Sequence, residues 1–291
     1  MKIFLFKFIL SFTAALPLKL IHLLGKGIGK LSWISNSRIR RIAEKNIQLC
    51  FPELNNQQQT EMVRKILNET GKVILEAGKM WHSNADTTLK LVQECENVQL
   101  IKQAQRQGRG VIIAMPHYGS WEVLNLYCAR HYPVTSMYAP QENSQADQLI
   151  RQARQRSGAT LVPTDTSGIR AMSKALKQAE LVLMLPDQSP KDAGQFAEFF
   201  GHPCYTMTLL PKLAKKTNAV VLYAYAKRLE NSSGFKLIFR PSSKDLATLE
   251  LGDALVQMNL DIEKLIRETP HQYQWTYKRF KKQPEGSKNI Y

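Results

Sequence analysis

The chain has 291 residues, enough for one extended domain with a large buried core, and its 40 Lys and Arg against 24 Asp and Glu give a net charge of +16. That sign calls for an anionic partner: nucleic acid, acidic lipid or a phosphorylated substrate. Cys50, Cys95, Cys128 and Cys204 are widely spaced, with no C-x-x-C pair and no run of His beside them, which argues against a zinc module and reads as reduced apolar filler in a cytosolic setting.

The run from Ile3 to Leu24 is largely apolar but interrupted by Lys7, Pro17, Lys19 and His22. As one helix it would reach roughly 33 Å, the scale of a hydrocarbon core, yet its charges disfavour a clean span. A shallow or tilted membrane-anchoring helix over residues 1–30 is the expectation. The rivals are a signal peptide, weakened by a poor cleavage site at Phe12-Thr13-Ala14-Ala15-Leu16, and a plain core helix followed by a solvated basic loop. Lys26, Lys30, Arg38, Arg40 and Arg41 follow, placed to stay on the cytoplasmic side and to touch acidic headgroups.

Residues 31–104 read as a helical preface. Asn55 or Asn56 caps a helix over Gln57 to Lys79, whose Met62, Ile66, Ile74 and Leu75 recur at helical spacing, and Phe51-Pro52-Glu53-Leu54-Asn55 is the turn before it. From 105 to 291 the pattern changes to short apolar runs between helices. Strands are expected at Val111 to Met115, Val134 to Tyr138, Leu181 to Leu185, Val220 to Tyr225 and Phe235 to Phe239. Helices are expected at Trp121 to His131, Asp147 to Ser157, Gly168 to Gln178, Thr206 to Thr217 and Leu255 to Glu268. The alternation gives an α/β fold with a mainly parallel central sheet flanked by helices, forming one continuous catalytic domain. No glycine-rich nucleotide fingerprint is present, since Gly108-Arg109-Gly110 precedes a strand where a phosphate loop would follow one.

His117 stands just after the first of these strands, where open α/β sheets place ligands. Ser120 is a reasonable cap for the next helix, which puts Glu122 in its first turn. With His117 upstream of the cap, the chain can fold back and let Glu122 bond the imidazole. Such a pair suits general base catalysis of acyl transfer, with His117 taking the proton of an acceptor hydroxyl and Glu122 fixing the tautomer. No G-x-S-x-G elbow is present, so direct transfer is preferred to a Ser-bound intermediate. Spacing alone is weak evidence, because a strand-end His and a dipole-complementing Glu arise readily by chance.

The segment Pro116-His117-Tyr118-Gly119-Ser120-Trp121-Glu122 resembles the lysophospholipid acyltransferase superfamily, and within it the bacterial lipid A late acyltransferases that transfer lauroyl and myristoyl chains. The similarity extends through Asn46-Ile47-Gln48-Leu49-Cys50-Phe51-Pro52-Glu53-Leu54, Leu185-Pro186-Asp187-Gln188-Ser189-Pro190, Phe199-Phe200-Gly201-His202-Pro203 and Tyr273-Gln274-Trp275-Thr276-Tyr277-Lys278-Arg279-Phe280-Lys281. It implies an inner-membrane enzyme facing the cytoplasm that moves an acyl chain from acyl carrier protein to a hydroxyl of a lipid A precursor, with no metal or other cofactor. Another glycolipid or a lysophospholipid is the alternative acceptor. Glu122, where the wider superfamily usually carries Asp, points to the lipid A branch.

Further residues follow from that likeness. Arg154 resembles the family's arginine ahead of a Gly and is a candidate phosphate fork; a solvated basic helix face is its bland alternative. Arg170 is a weaker phosphate candidate. Asp187 and Gln188 match the family's acid-Gln pair and are expected to support the site without transferring protons. Phe199-Phe200-Gly201 shapes an acyl pocket or packs beneath one. Tyr273 to Lys281 is either an interfacial aromatic-basic belt or a final strand with a soluble tail. A nucleic-acid module, the rival from another class, lacks a zinc finger or an RNP motif, and nucleic acid is not expected as a partner.

Overall fold

The computed structural model describes residues 2–138, 144–191 and 193–291. The apolar N-terminal run does not form one rod. Pro17 has no N–H to continue a helix, and it separates α1 (Lys2–Ala15) from α2 (Leu18–Ile34). No helix among the described residues is long and apolar enough to cross a membrane, so the expected anchor has no spanning element behind it.

The helices α3 (Arg38–Cys50) and α4 (Asn56–His82) follow. Asn55 starts α4 with a reciprocal capping box, its side chain accepting from Gln58 N–H while the Gln58 side chain accepts from Asn55 N–H. Along α4 lie both α1 and α2, and α2 approaches backbone to backbone. A Cβ on Gly71 would sit 2.1 Å from the Gly25 carbonyl oxygen, and one on Gly25 would sit 2.6 Å from the Lys72 nitrogen. Only glycine allows that approach.

After the short α5 (Ala85–Leu89) come β1 (Val92–Glu96), α6 (Gln99–Arg106), β2 (Val111–Ala114), α7 (Trp121–His131), β3 (Val134–Met137), α8 (Ser144–Arg156), β4 (Thr160–Val162), α9 (Thr166–Lys177) and β5 (Leu181–Met184). A two-stranded hairpin, β6 (Gly194–Phe199) and β7 (His202–Met207), leads to α10 (Leu209–Thr217), β8 (Val220–Arg228), β9 (Phe235–Pro241) and α11 (Leu251–Glu268). The central sheet has seven strands in the order β1-β9-β8-β2-β5-β3-β4. The five from β8 to β4 run parallel, while β9 is antiparallel to β8 and parallel to β1. This is the expected mainly parallel α/β sheet.

Because both faces are covered, the central strands are apolar throughout. Ile112, Val182, Val221 and Tyr223 pack on one side with α9, α10 and α11; Val111, Ile113, Leu181 and Leu222 pack on the other with α6 and α7. Tyr273, Trp275 and Phe280 are buried in the first of these layers, and Arg279 is buried beside them. The C-terminal segment is therefore neither an interfacial belt nor a strand. It is a turn-rich closure whose aromatics pack edge-on, Phe51 and Phe200 against Trp275 at 5.6 Å each and Tyr273 against Trp275 at 4.9 Å. Phe199 and Phe200 are core, and Phe200 and Gly201 form the tight β6–β7 turn with φ of +50° and +72°.

Candidate active site

β2 and β5 are neighbours in register, with Ala114 opposite Met184. His117 and Asp187 each lie three residues beyond that last pair, so parallel pairing alone brings them to the same height above the sheet. The two side chains meet. Asp187 accepts from the His117 backbone N–H and lies 2.9 Å from Nδ1 through its other oxygen, 2.9 Å being the length of each bond. A carboxylate only accepts, so Nδ1 carries a proton, and in the neutral ring that leaves the lone pair on Nε2. Asp187 is 2% exposed. Burial alone would raise its carboxyl, but the His117 imidazole and N–H, with Arg279 behind, hold it below the usual range.

The loop that carries His117 is clamped on three sides. Gln274 N–H donates to the His117 carbonyl, Gly119 N–H to the Gln272 carbonyl, and Ser120 N–H to the Ala226 carbonyl on β8. Gly119 has φ of +61°, and a Cβ there would stand 2.0 Å from the Ala226 oxygen. Ser120 occupies the N-cap position of α7, but its side chain makes no capping bond. Trp121 packs edge-on against the His117 ring at 5.2 Å.

Glu122 does not take the place expected of it. The fold-back that would bring its carboxylate to the imidazole is replaced by an ion pair with Arg154 from α8, Nη2 to one oxygen and Nε to the other at 3.3 Å. α7 departs from the loop with Glu122 turned toward α8, whereas Asp187 already fills the Nδ1 position from the adjacent strand. Arg154 also lies 5.6 Å over the Tyr138 ring. Gln188 donates to Gln274, the residue that holds the His117 carbonyl. Arg170 is exposed on α9 and forms no ion pair with the His117 loop among the described residues.

Beside the loop is a cavity of about 360 Å³, walled by Ile74, Ala77 and Met80 of α4, Trp121 and Glu122 of α7, and Ile150 of α8. Its walls are mostly apolar, with Glu76, Ser120 and Glu122 as the polar exceptions.

A buried ionic cluster underlies the loop and was not singled out from the sequence. Arg228, at the end of β8, forms two 2.7 Å bonds to Glu76 and donates at 3.2 Å to the Gly119 carbonyl. Glu76 also receives His22 Nε2 at 2.7 Å, and Ser232 lies 2.8 Å from His22 Nδ1. The Gln272 side chain closes the arrangement through both the N–H and the carbonyl of Arg228. The signal available in the sequence was a charge inside an apolar stretch: Glu76 after Ile74 and Leu75, Arg228 ending an apolar strand, His22 within the N-terminal run.

The family model described as bacterial lipid A biosynthesis acyltransferase matches residues 1–282. The chain is 29% identical to the lipid A biosynthesis lauroyltransferase of Escherichia coli strain K12, across 97% of this chain and 92% of that protein. It is also 29% identical to the palmitoleoyltransferase of the same organism, across 95% and 90%, and 24% identical to its myristoyltransferase, across 90% and 80%. The chain therefore belongs to the bacterial lipid A biosynthesis acyltransferase family and is an acyltransferase.

Proposed function

We propose that the chain moves a fatty acyl group from acyl carrier protein to a hydroxyl of a lipid A precursor, at the cytoplasmic face of the bacterial inner membrane. The observation that carries this reading is the Asp187–His117 pair at the carboxyl end of β2, with one ring nitrogen held and the other left as a base. His117 Nε2 takes the acceptor hydroxyl proton as the oxygen attacks the thioester carbonyl. The tetrahedral intermediate then expels the thiolate, and the imidazolium returns the proton to sulfur. Asp187 fixes the tautomer and stabilises the imidazolium, which is the work assigned from the sequence to Glu122.

Glu122 instead holds Arg154 through Nε and Nη2, and the remaining N–H edge of the guanidinium suits a phosphate of the acceptor. The apolar cavity between α4, α7 and α8 receives the acyl chain. The net charge of +16 suits both an acidic carrier protein and an anionic membrane surface. Exposed Phe8, Ile9 and Phe12 on α1 and Leu23 and Leu31 on α2 supply an apolar face for shallow insertion in place of a span.

The test is transfer by the purified protein in detergent, offered acyl carrier protein loaded with a fatty acid and either lipid A precursor or a lysophospholipid, with products read by mass. One added acyl chain on the precursor, lost in His117→Ala, is expected. Acylation of the lysophospholipid alone would overturn the assigned acceptor.

A further inference from the structure

We propose that the cleft between α2 and α4, lined by Lys26, Lys30, Trp33, Ile34, Arg64 and Asn68, holds the phosphate headgroup of an anionic membrane phospholipid. The proposal rests on the membrane-surface reading above and deepens it. The cleft encloses about 420 Å³. Lys26 and Lys30 stand one turn apart on α2 and Arg64 faces them from α4, so three cationic side chains from two helices border a cleft whose lining is otherwise mostly carbon.

None of the carboxylates nearby lines the cleft. Glu44 is bound by Arg40, and Glu69 by Lys72 and Arg228. Glu61 faces a separate depression with Lys65 and His271. Among the described residues, no ion pair neutralises Lys26, Lys30 or Arg64. The Arg64 guanidinium lies 4.7 Å over the Trp33 ring and that of Arg40 lies 3.7 Å over it, which keeps two long side chains ordered at the mouth. Asn68 adds an amide against Gly29.

A free phosphate would satisfy the cations but not their surroundings. On α2, Leu20, Leu23, Leu24, Leu31 and Ile34 are all exposed, 40% to 68% each. At 100° per residue they fall within an arc of about 100°, with Lys19, Lys26 and Lys30 along one flank. That is the arrangement of a helix lying in the plane of a bilayer, apolar stripe down and ammonium groups at headgroup depth. A phospholipid supplies both the phosphate for the cleft and the acyl layer for the stripe.

The cleft is also distinct from the reaction site. Arg64 and Asn68 point from one side of α4, whereas Ala77 and Met80, which wall the acyl cavity, are turned by about half a circle on the same helix. A headgroup seated here sets the pose of the protein on the membrane without entering the chemistry.

The test is partition of the full chain onto sedimented vesicles of phosphatidylcholine, with and without added phosphatidylglycerol. Wild type is compared with Lys30→Gln/Arg64→Gln and with Lys174→Gln/Lys177→Gln on α9, which makes the same charge change elsewhere. The cleft variant should lose about thirtyfold on the anionic vesicles, from two cations each contributing about 1 kcal/mol. It should bind the neutral vesicles as wild type does, and keep transfer activity in detergent. The α9 variant should lose less than about threefold, since charges beyond a Debye length are screened. Equal losses in the two variants would mean diffuse attraction and overturn the cleft. Displacement from vesicles by inorganic phosphate at the concentration of accessible lipid phosphate would also overturn it, in favour of a free-phosphate site. Failure of wild type to bind either vesicle would instead remove the membrane-surface reading, leaving the transfer reaction to its own assay.

Discussion

Asp187 holds His117 twice, by the backbone N–H and by Nδ1, at 2.9 Å each. The two bonds fix the ring plane and the tautomer together. Asp187→Asn keeps the size but puts an amide where an acceptor-only carboxylate was, so it can favour the Nε2–H tautomer and gives less support to an imidazolium. The expected result is a fall in kcat on the order of 10²–10⁴ with KM little changed, because the lost interaction strengthens only in the transition state. Initial rates by product mass check this. A rate equal to wild type would remove Asp187 from the mechanism.

The Glu122–Arg154 ion pair makes a different claim, that these two residues act as a unit. Their side chains are 12% and 21% exposed, so each is costly to leave without the other. In a double-mutant cycle of Glu122→Gln and Arg154→Ala, chemical denaturation should return a coupling of about 0.5–3 kcal/mol. Activity should be non-additive as well, with the double variant close to the worse single. Strict additivity in both measurements would separate the two residues and restore Glu122 to some other partner.

The sequence carried the sheet and the strand ends that bear His117 and Asp187, but not the pairing of the two residues. Apolar runs at Val111, Leu181 and Val220 were legible because a two-sided parallel sheet needs them to be apolar throughout. β1, β4 and the β6–β7 hairpin escaped, being short, partly exposed and mixed in polarity, as in Val92-Gln93-Glu94-Cys95-Glu96. His117 and Asp187 were each placed at a strand end, yet nothing in a linear sequence says that β2 and β5 are neighbours. Glu122 was the nearer acid along the chain, and proximity in sequence stood in for proximity in space. The aromatic C-terminus was ambiguous for a related reason: Tyr273, Trp275 and Phe280 suit an interface and a core equally, and only the fold decides.

Glu76 makes stability depend on pH. Burial would raise its carboxyl, but Arg228 and His22 lower it from 4.5 to about 2. A depressed carboxylate contributes stability that is present above its unfolded pKa and is lost as pH falls through the folded one. The contribution is about 3 kcal/mol, fully present above roughly pH 5 and vanishing toward pH 2. Glu76→Gln should therefore destabilise strongly at neutral pH, by about 3–5 kcal/mol, since it also leaves Arg228 buried without its carboxylate. The gap between wild type and variant in denaturant midpoint should narrow as pH drops below 5. A gap of constant size from pH 7 to pH 3 would mean that Glu76 does not titrate as its surroundings require.

Gly119 and Gly108 separate strain from collision. Both have positive φ, +61° and +70°, but a Cβ on Gly108 meets nothing within 4 Å, whereas one on Gly119 meets the Ala226 oxygen at 2.0 Å. Gly108→Ala should cost only the left-handed penalty, about 1–2 kcal/mol, and leave transfer intact. Gly119→Ala adds displacement of the loop from β8, which breaks the Ser120 to Ala226 and Gly119 to Gln272 bonds and moves the carbonyl that Arg228 holds. Each buried N–H left without an acceptor costs about 1–3 kcal/mol, so the second substitution should exceed the first by at least about 2 kcal/mol. It should also lower kcat, because His117 is two residues away on the same displaced loop. Denaturation midpoints and initial rates on both variants decide the matter. Equal stability losses with equal activity would show that the close packing of Gly119 on β8 does not position His117.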